Sequence, residues 1–175
     1  MNNANDVEII RRFLEENHVL ALCAHADGQL WSANCFYVTD AEAMCLYFMT
    51  ELKTLHGALM AKNPEIVGTI ATQPENIALI RGIQYRGQAI VLEGSADENA
   101  RALYCQQFLI AAKMKAPVWQ LRFDDIKMTD NTLGFGTKLF WTRKEGSRKE
   151  GSREAGSLEA GSREAGSLEA GSQER

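Results

Sequence analysis

The six residues Met44 to Met49, MCLYFM, form an unbroken apolar run that is too short for an independent helix and stops abruptly at Thr50. Such a run reads as a strand buried on both faces. The period then changes. Thr54 stands where a helix N-cap belongs, Leu55 and Leu59 are one turn apart, and Asn63-Pro64 is a stop signal. A strand therefore runs into a turn at a helix start, and the other elements are arranged around that junction.

The junction is electrostatically unusual. A helix start carries free backbone N–H groups and partial positive charge, which disfavours cations and favours anions. Lys53 and His56 add positive character there. Two readings fit: an exposed turn in which water tolerates the charge, or a phosphate site at which N–H groups, hydroxyls and an ammonium all point to one anion.

In chain order, Asp6 to Asn17 carries Val7, Ile10 and Leu14 on one side, an amphipathic helix with Asn5 or Asp6 as its cap. Val19 to His25 is strand-like. Asp27-Gly28 supplies two positive-φ residues for a tight hairpin, returning Gln29 to Val38 as the second strand. There Ser32 and Asn34 are polar neighbours on an otherwise apolar face, set either toward solvent or toward a polar ligand.

After the central strand and helix, Ile66 to Ala71 reads as a strand, and Ala78 to Gly94 contains another, decorated by Arg81, Gln84 and Arg86. Ser95-Ala96-Asp97-Glu98 has the form of a capping box, opening a helix to about Ala112. Val118 to Phe123 alternates cleanly, with a bend at Asp124-Asp125, and Thr137 to Arg143 is a last strand. From Glu145 onward Gly-Ser recurs every five residues with few apolar side chains, which predicts a disordered low-complexity tail over 144–175 behind a single domain at 1–143.

A net charge of −4 argues against nucleic acid or an anionic membrane as partner. The four cysteines show no C-x-x-C pair, no charged-then-apolar leader opens the chain, and no stretch is long enough to span a bilayer. A reducing cytoplasm fits, with free thiols. Six or seven short strands with helices between some of them predict a mainly β fold, a small closed antiparallel barrel with flanking helices.

Several segments resemble a known family. Tyr47-Phe48-Met49-Thr50, the Thr54-x-His56 turn, Asn63-Pro64 and Arg81-Gly82-Ile83-Gln84-Tyr85-Arg86-Gly87 are similar to the pyridoxamine 5'-phosphate oxidase-like FMN-binding split barrels. Pro117-Val118-Trp119, with Thr129-Asp130-Asn131-Thr132-Leu133-Gly134-Phe135-Gly136, resembles more specifically the YhbP-like bacterial branch.

The resemblance, which covers about Asp6 to Arg143, implies a homodimer with FMN in a groove between subunits. It places Thr50 at the end of the third strand and Thr54 at the serine of the family's Ser-Arg-Lys phosphate turn. Leu55 and His56 stand where the arginine and lysine would be, which leaves Lys53 and Arg81 as candidates to compensate. Ser32 to Asn34 fall on the segment that lies along the flavin ring. Lys53, Thr54 and His56 are thus the expected phosphate groups, and Ser32, Asn34 and Gln84 the donors near the ring. Trp119 and Trp141 are either ring partners or residues of the core or the dimer interface.

The leading expectation is an FMN-binding protein, an oxidoreductase in which the flavin exchanges hydride with a small molecule. The alternatives are a non-catalytic split barrel that binds a ligand such as haem, with His18, His25 or His56 available to iron, and a protein whose chief activity is self-association. Hydrolytic motifs are missing: there is no G-x-S-x-G and no H-E-x-x-H, and no metal site is expected.

Overall fold

A computed structural model of the chain describes residues 3–143; the expected low-complexity tail lies outside the described residues. Seven strands and three α-helices follow in the order α1 (Ala4–Glu16), β1 (Val19–Ala26), β2 (Gln29–Asp40), β3 (Cys45–Met49), α2 (Leu55–Lys62), β4 (Glu65–Ala71), β5 (Arg81–Val91), α3 (Gly94–Gln107), β6 (Val118–Asp130) and β7 (Lys138–Thr142).

Every pairing is antiparallel, in the order β3-β2-β1-β4-β5-β6-β7, and β3 also pairs with β6, which closes six strands into a barrel. The 13-residue β6 makes the closure possible. Its first half pairs with β3 through Met49↔Val118 to Cys45↔Arg122, and its second half carries β7 through Asp125↔Thr142 to Thr129↔Lys138. Between the halves the ladder to β5 slips, with Arg86 opposite Asp125 and Gly87 opposite Phe123. Asp124 is left over. The expected bend at Asp124-Asp125 is thus a β-bulge in one continuous strand. Gly87 is needed beside it, since a Cβ there would lie 2.3 Å from the Arg122 carbonyl oxygen.

The barrel interior takes alternate residues of each strand: Leu20, Leu22 and Ala24 from β1, Ile66 and Ile70 from β4, Ile83 and Tyr85 from β5, and Leu121 and Phe123 from β6. Tyr85 lies over β4 and donates to the Ala21 carbonyl of β1 at 2.9 Å. Gly68 leaves the room for it, because a Cβ there would meet the Tyr85 hydroxyl at 2.4 Å.

The helices α1 and α2 belong to opposite ends of the barrel. At one end Tyr37 and Thr39 both donate to the Leu14 carbonyl at the close of α1. At the other, Lys62 of α2 pairs with Asp27 in the β1–β2 turn, and Asn63 donates to the His25 carbonyl. That turn is the expected one, with positive φ at both Asp27 and Gly28.

The strand expected within 78–94 is β5, which begins at Arg81 after a 3-10 turn at Ile77–Leu79. Two local expectations are corrected. Asn3, not Asn5 or Asp6, caps α1, its side chain accepting from the Asn5 N–H. Ser95 does not cap α3, which starts at Gly94 with no side-chain cap. Asp97 is drawn elsewhere: it accepts both Nε and a terminal N–H of Arg101, and its carboxyl is held below its ordinary pKa chiefly by that hydrogen bonding. Arg101 in turn donates to the Ala116 carbonyl, tying α3 to the connector before β6.

Candidate functional site

Where β3 leaves the ladder, Thr50 is buried and Trp119 of β6 donates to its carbonyl at 3.0 Å. Trp119 is itself fully buried and stacks on Phe48, and Trp141 is buried under Arg143, so both tryptophans are core residues in this chain. The loop then turns onto α2 through Thr54, whose hydroxyl donates to the Glu51 carbonyl at 2.8 Å and accepts from the Gly57 N–H at 3.1 Å. Gly57 permits that closure: an added Cβ would sit 2.3 Å from the Glu51 oxygen and 2.9 Å from Thr54 Oγ1.

His56 completes the cluster. Its Nε2 lies 2.6 Å from Thr50 Oγ1 and 3.2 Å from Thr54 Oγ1. Because the single Thr54 proton is committed to Glu51, Nε2 approaches Thr54 as a donor, which makes Nε2–H the tautomer consistent with both contacts. Burial lowers the His56 pKa below its ordinary value, so at neutral pH the ring is uncharged.

The N–H groups of Leu55 and His56 make no hydrogen bond among the described residues, as expected for the first turn of a helix. Lys53 is exposed and likewise unpaired. The free N–H groups of Leu55 and His56, the Thr50 hydroxyl and the exposed Lys53 ammonium therefore share one helix start, a donor set suited to an anion. Gly57 has no counterpart in the sequence reading. Its signal was a glycine in the first turn of a short helix, where propensity alone disfavours it.

The remaining predicted residues lie on the outer face of the sheet. Asn34, Ala21, Thr69, Gln84, Lys127 and Phe140 form one row across β2, β1, β4, β5, β6 and β7. Ser32, Cys23, Val67 and Arg86 form the next. Asn34 and Gln84 share a face but stand three strands apart, roughly 14 Å. Ser32, Asn34, Val67, Thr69 and Gln84 are all exposed, so no helix covers this face.

Arg81 is placed apart from the rest. It begins β5 opposite Asp130, whereas Val91, ten residues on, is the residue opposite Trp119. At about 3.3 Å per residue that separates Arg81 from the Thr50 end by roughly 30 Å within one chain. Its guanidinium bonds Glu16 at 2.9 Å and the buried Asp130 at 3.2 Å and covers the Phe13 ring.

The three histidines do not converge. His25 packs against the Asn63 amide at the hairpin end, His18 stands edge-on to Phe108, and His56 closes the Thr50 loop.

No family model matches the chain. It is 57% identical over 143 residues to a UPF0306 protein of Serratia proteamaculans, covering 82% of this chain and 99% of that protein. It is 54% identical over 145 residues to the UPF0306 protein YE0465 of Yersinia enterocolitica, with 83% and 99% covered. Among solved structures, it matches a haem-binding protein from Mycobacterium smegmatis at a TM-score of 0.67 and 18% identity, over 81% of this chain and 60% of that one. A FAD-binding protein from Mesorhizobium loti matches at 0.57 and 12% identity, over 72% and 93%. The haem storage protein HutZ from Vibrio cholerae matches at 0.56 and 14% identity, over 70% and 91%. At these identities the structural matches establish the fold. The chain belongs to the UPF0306 family, built on the pyridoxamine 5'-phosphate oxidase-like split barrel.

Proposed function

We propose that this protein is a homodimeric FMN-binding protein that acts as a flavin-dependent oxidoreductase on a small molecule. The observation that carries the reading is the donor set at the start of α2, where unpaired N–H groups of Leu55 and His56 lie beside Thr50, Thr54 and Lys53. These groups would hold the phosphate. Ser32 and Asn34, exposed on β2, would supply hydrogen bonds toward the ring. Hydride exchange at the flavin is the chemistry that FMN supplies when bound.

Binding at this site is carried mainly by neutral donors. The usual arginine and lysine are replaced by Leu55 and by a histidine that is uncharged at neutral pH, so Lys53 is the cation beside the loop. The outer face, which no helix covers, supports the dimer. Val67 (52% exposed) stands beside the small, uncharged Cys23, Ser32 and Thr69 on one side, and Arg86, paired with Asp125, borders this apolar patch on the other.

The likeness to two proteins named for haem supports a second reading, haem in place of flavin, with His25 as the accessible imidazole. FMN and riboflavin titrations of wild type, Lys53→Ala and Lys62→Ala test the first reading. Lys53→Ala is expected to weaken FMN about tenfold and leave riboflavin unchanged, with Lys62→Ala matching wild type. Equal effects of the two lysine changes would remove Lys53 from the phosphate site.

A further inference from the structure

Away from the Thr50 loop, a cleft of about 290 Å³ opens between the end of α1, the end of β2 and the last turns of α3. Its polar lining comes from Glu15 of α1, His18 before β1, Gln106 and Gln107 of α3, and Thr39 of β2, whose hydroxyl donates to the Leu14 carbonyl. None of the other four side chains makes a hydrogen bond or ion pair among the described residues. Leu103 lies three and four residues before the two glutamines, so all three share one helix face. With Val38 of β2 it makes the apolar part of the lining. His18 is itself held by Phe108, which packs edge-on against both His18 and Phe36 and tilts against Tyr104.

Three features select the ligand class. No lysine or arginine lines the cleft, and Glu15 places a carboxylate in it, so phosphates and other anions are disfavoured. The volume falls at the lower limit of small-molecule pockets, which admits a one- or two-ring compound and excludes a whole flavin nucleotide or a haem. The two primary carboxamides each offer a donor and an acceptor side by side, the arrangement that pairs bidentately with the edge of an adenine ring, and a carboxylate accepts from a ring N–H or exocyclic amine. Valine and leucine provide contact for the faces of such a ring.

We propose that this cleft is a second binding site, separate from the Thr50 loop, for an uncharged nitrogen heterocycle of purine size, read by Gln106, Gln107 and Glu15. The site does not depend on flavin binding, and its test uses adenine. Calorimetric titration of the full chain with adenine is expected to show one saturable site per chain. Glu15→Ala and Gln106→Ala, both at exposed positions, are each expected to weaken adenine about tenfold or more, the loss of a bidentate or charged contact. Glu98→Ala, exposed at the other end of α3, is expected to match wild type. Thermal melts of all variants verify that the fold is kept. Benzoate, an anion of similar size, is expected not to bind. Saturating FMN is expected to leave adenine affinity unchanged. Adenine that fails to saturate, that binds Glu15→Ala and Gln106→Ala as tightly as wild type, or that is displaced by FMN overturns the proposal.

Discussion

His56 Nε2 lies 2.6 Å from Thr50 Oγ1, so an imidazole bridges the end of β3 and the first turn of α2. Burial of the ring favours its neutral form. The loop is held shut by hydrogen bonds rather than by charge.

A pH dependence follows. The folded His56 pKa lies below its ordinary 6.5, so on acidification the unfolded chain takes up this proton first. The stability contributed by the neutral ring is present above that value and is lost as pH falls toward the folded pKa. His56→Gln keeps a donor and cannot titrate. Between about pH 7.5 and about pH 5.5 wild type is expected to lose more melting temperature than His56→Gln. A smaller loss in wild type than in the variant would contradict a neutral bridging imidazole.

Gly57→Ala is expected to open the Thr50 loop, because its Cβ would overlap the Glu51 carbonyl oxygen, a backbone atom that cannot swing aside. The cost is about 1–3 kcal/mol. Chemical denaturation measures it, and FMN affinity should fall with it. Alanine normally stabilises a helix relative to glycine, so an increase in stability would show that the loop does not close as described.

Arg81→Ala is expected to cost about 2 kcal/mol, because it leaves the buried Asp130 carboxylate without its cation, and solvent access to the arginine limits the loss. FMN affinity is expected to stay within twofold of wild type, about 0.4 kcal/mol. Weaker FMN binding at unchanged stability would instead put Arg81 in the flavin site, supplied by a second copy.

Thr69→Arg sets a long cation in the middle row of the bare sheet face. Light scattering on the purified variant is expected to give a monomer where wild type gives a dimer, with the melting transition of the barrel retained. A dimeric Thr69→Arg would move the interface off this face.

Much of the fold is legible in local chemistry. The Asp27-Gly28 turn, the Thr54 cap, the Asn63 stop and the alternation in β6 each follow from a few adjacent residues and stand where the chain predicts them. What failed was decided at a distance. The Ser95-to-Glu98 pattern satisfies the capping rule, yet Asp97 accepts from Arg101 and from the Val118 N–H that opens β6, and the helix begins at Gly94. The pairing of β3 with β6 joins residues as far apart as Cys45 and Arg122 and leaves no local trace. Of the expected ligand groups, Thr50, Thr54 and His56 meet because one short loop carries them. Arg81 follows a strand that starts at the far end of the barrel, which strand count alone does not reveal.

The most direct test is the absorption spectrum of the purified protein, followed by titration with FMN. A dimer that shows flavin bands, or acquires them saturably at one FMN per chain, is the expected result. A Soret band would point to haem, and a colourless protein that leaves FMN fluorescence unquenched would contradict the flavin site at the Thr50 loop.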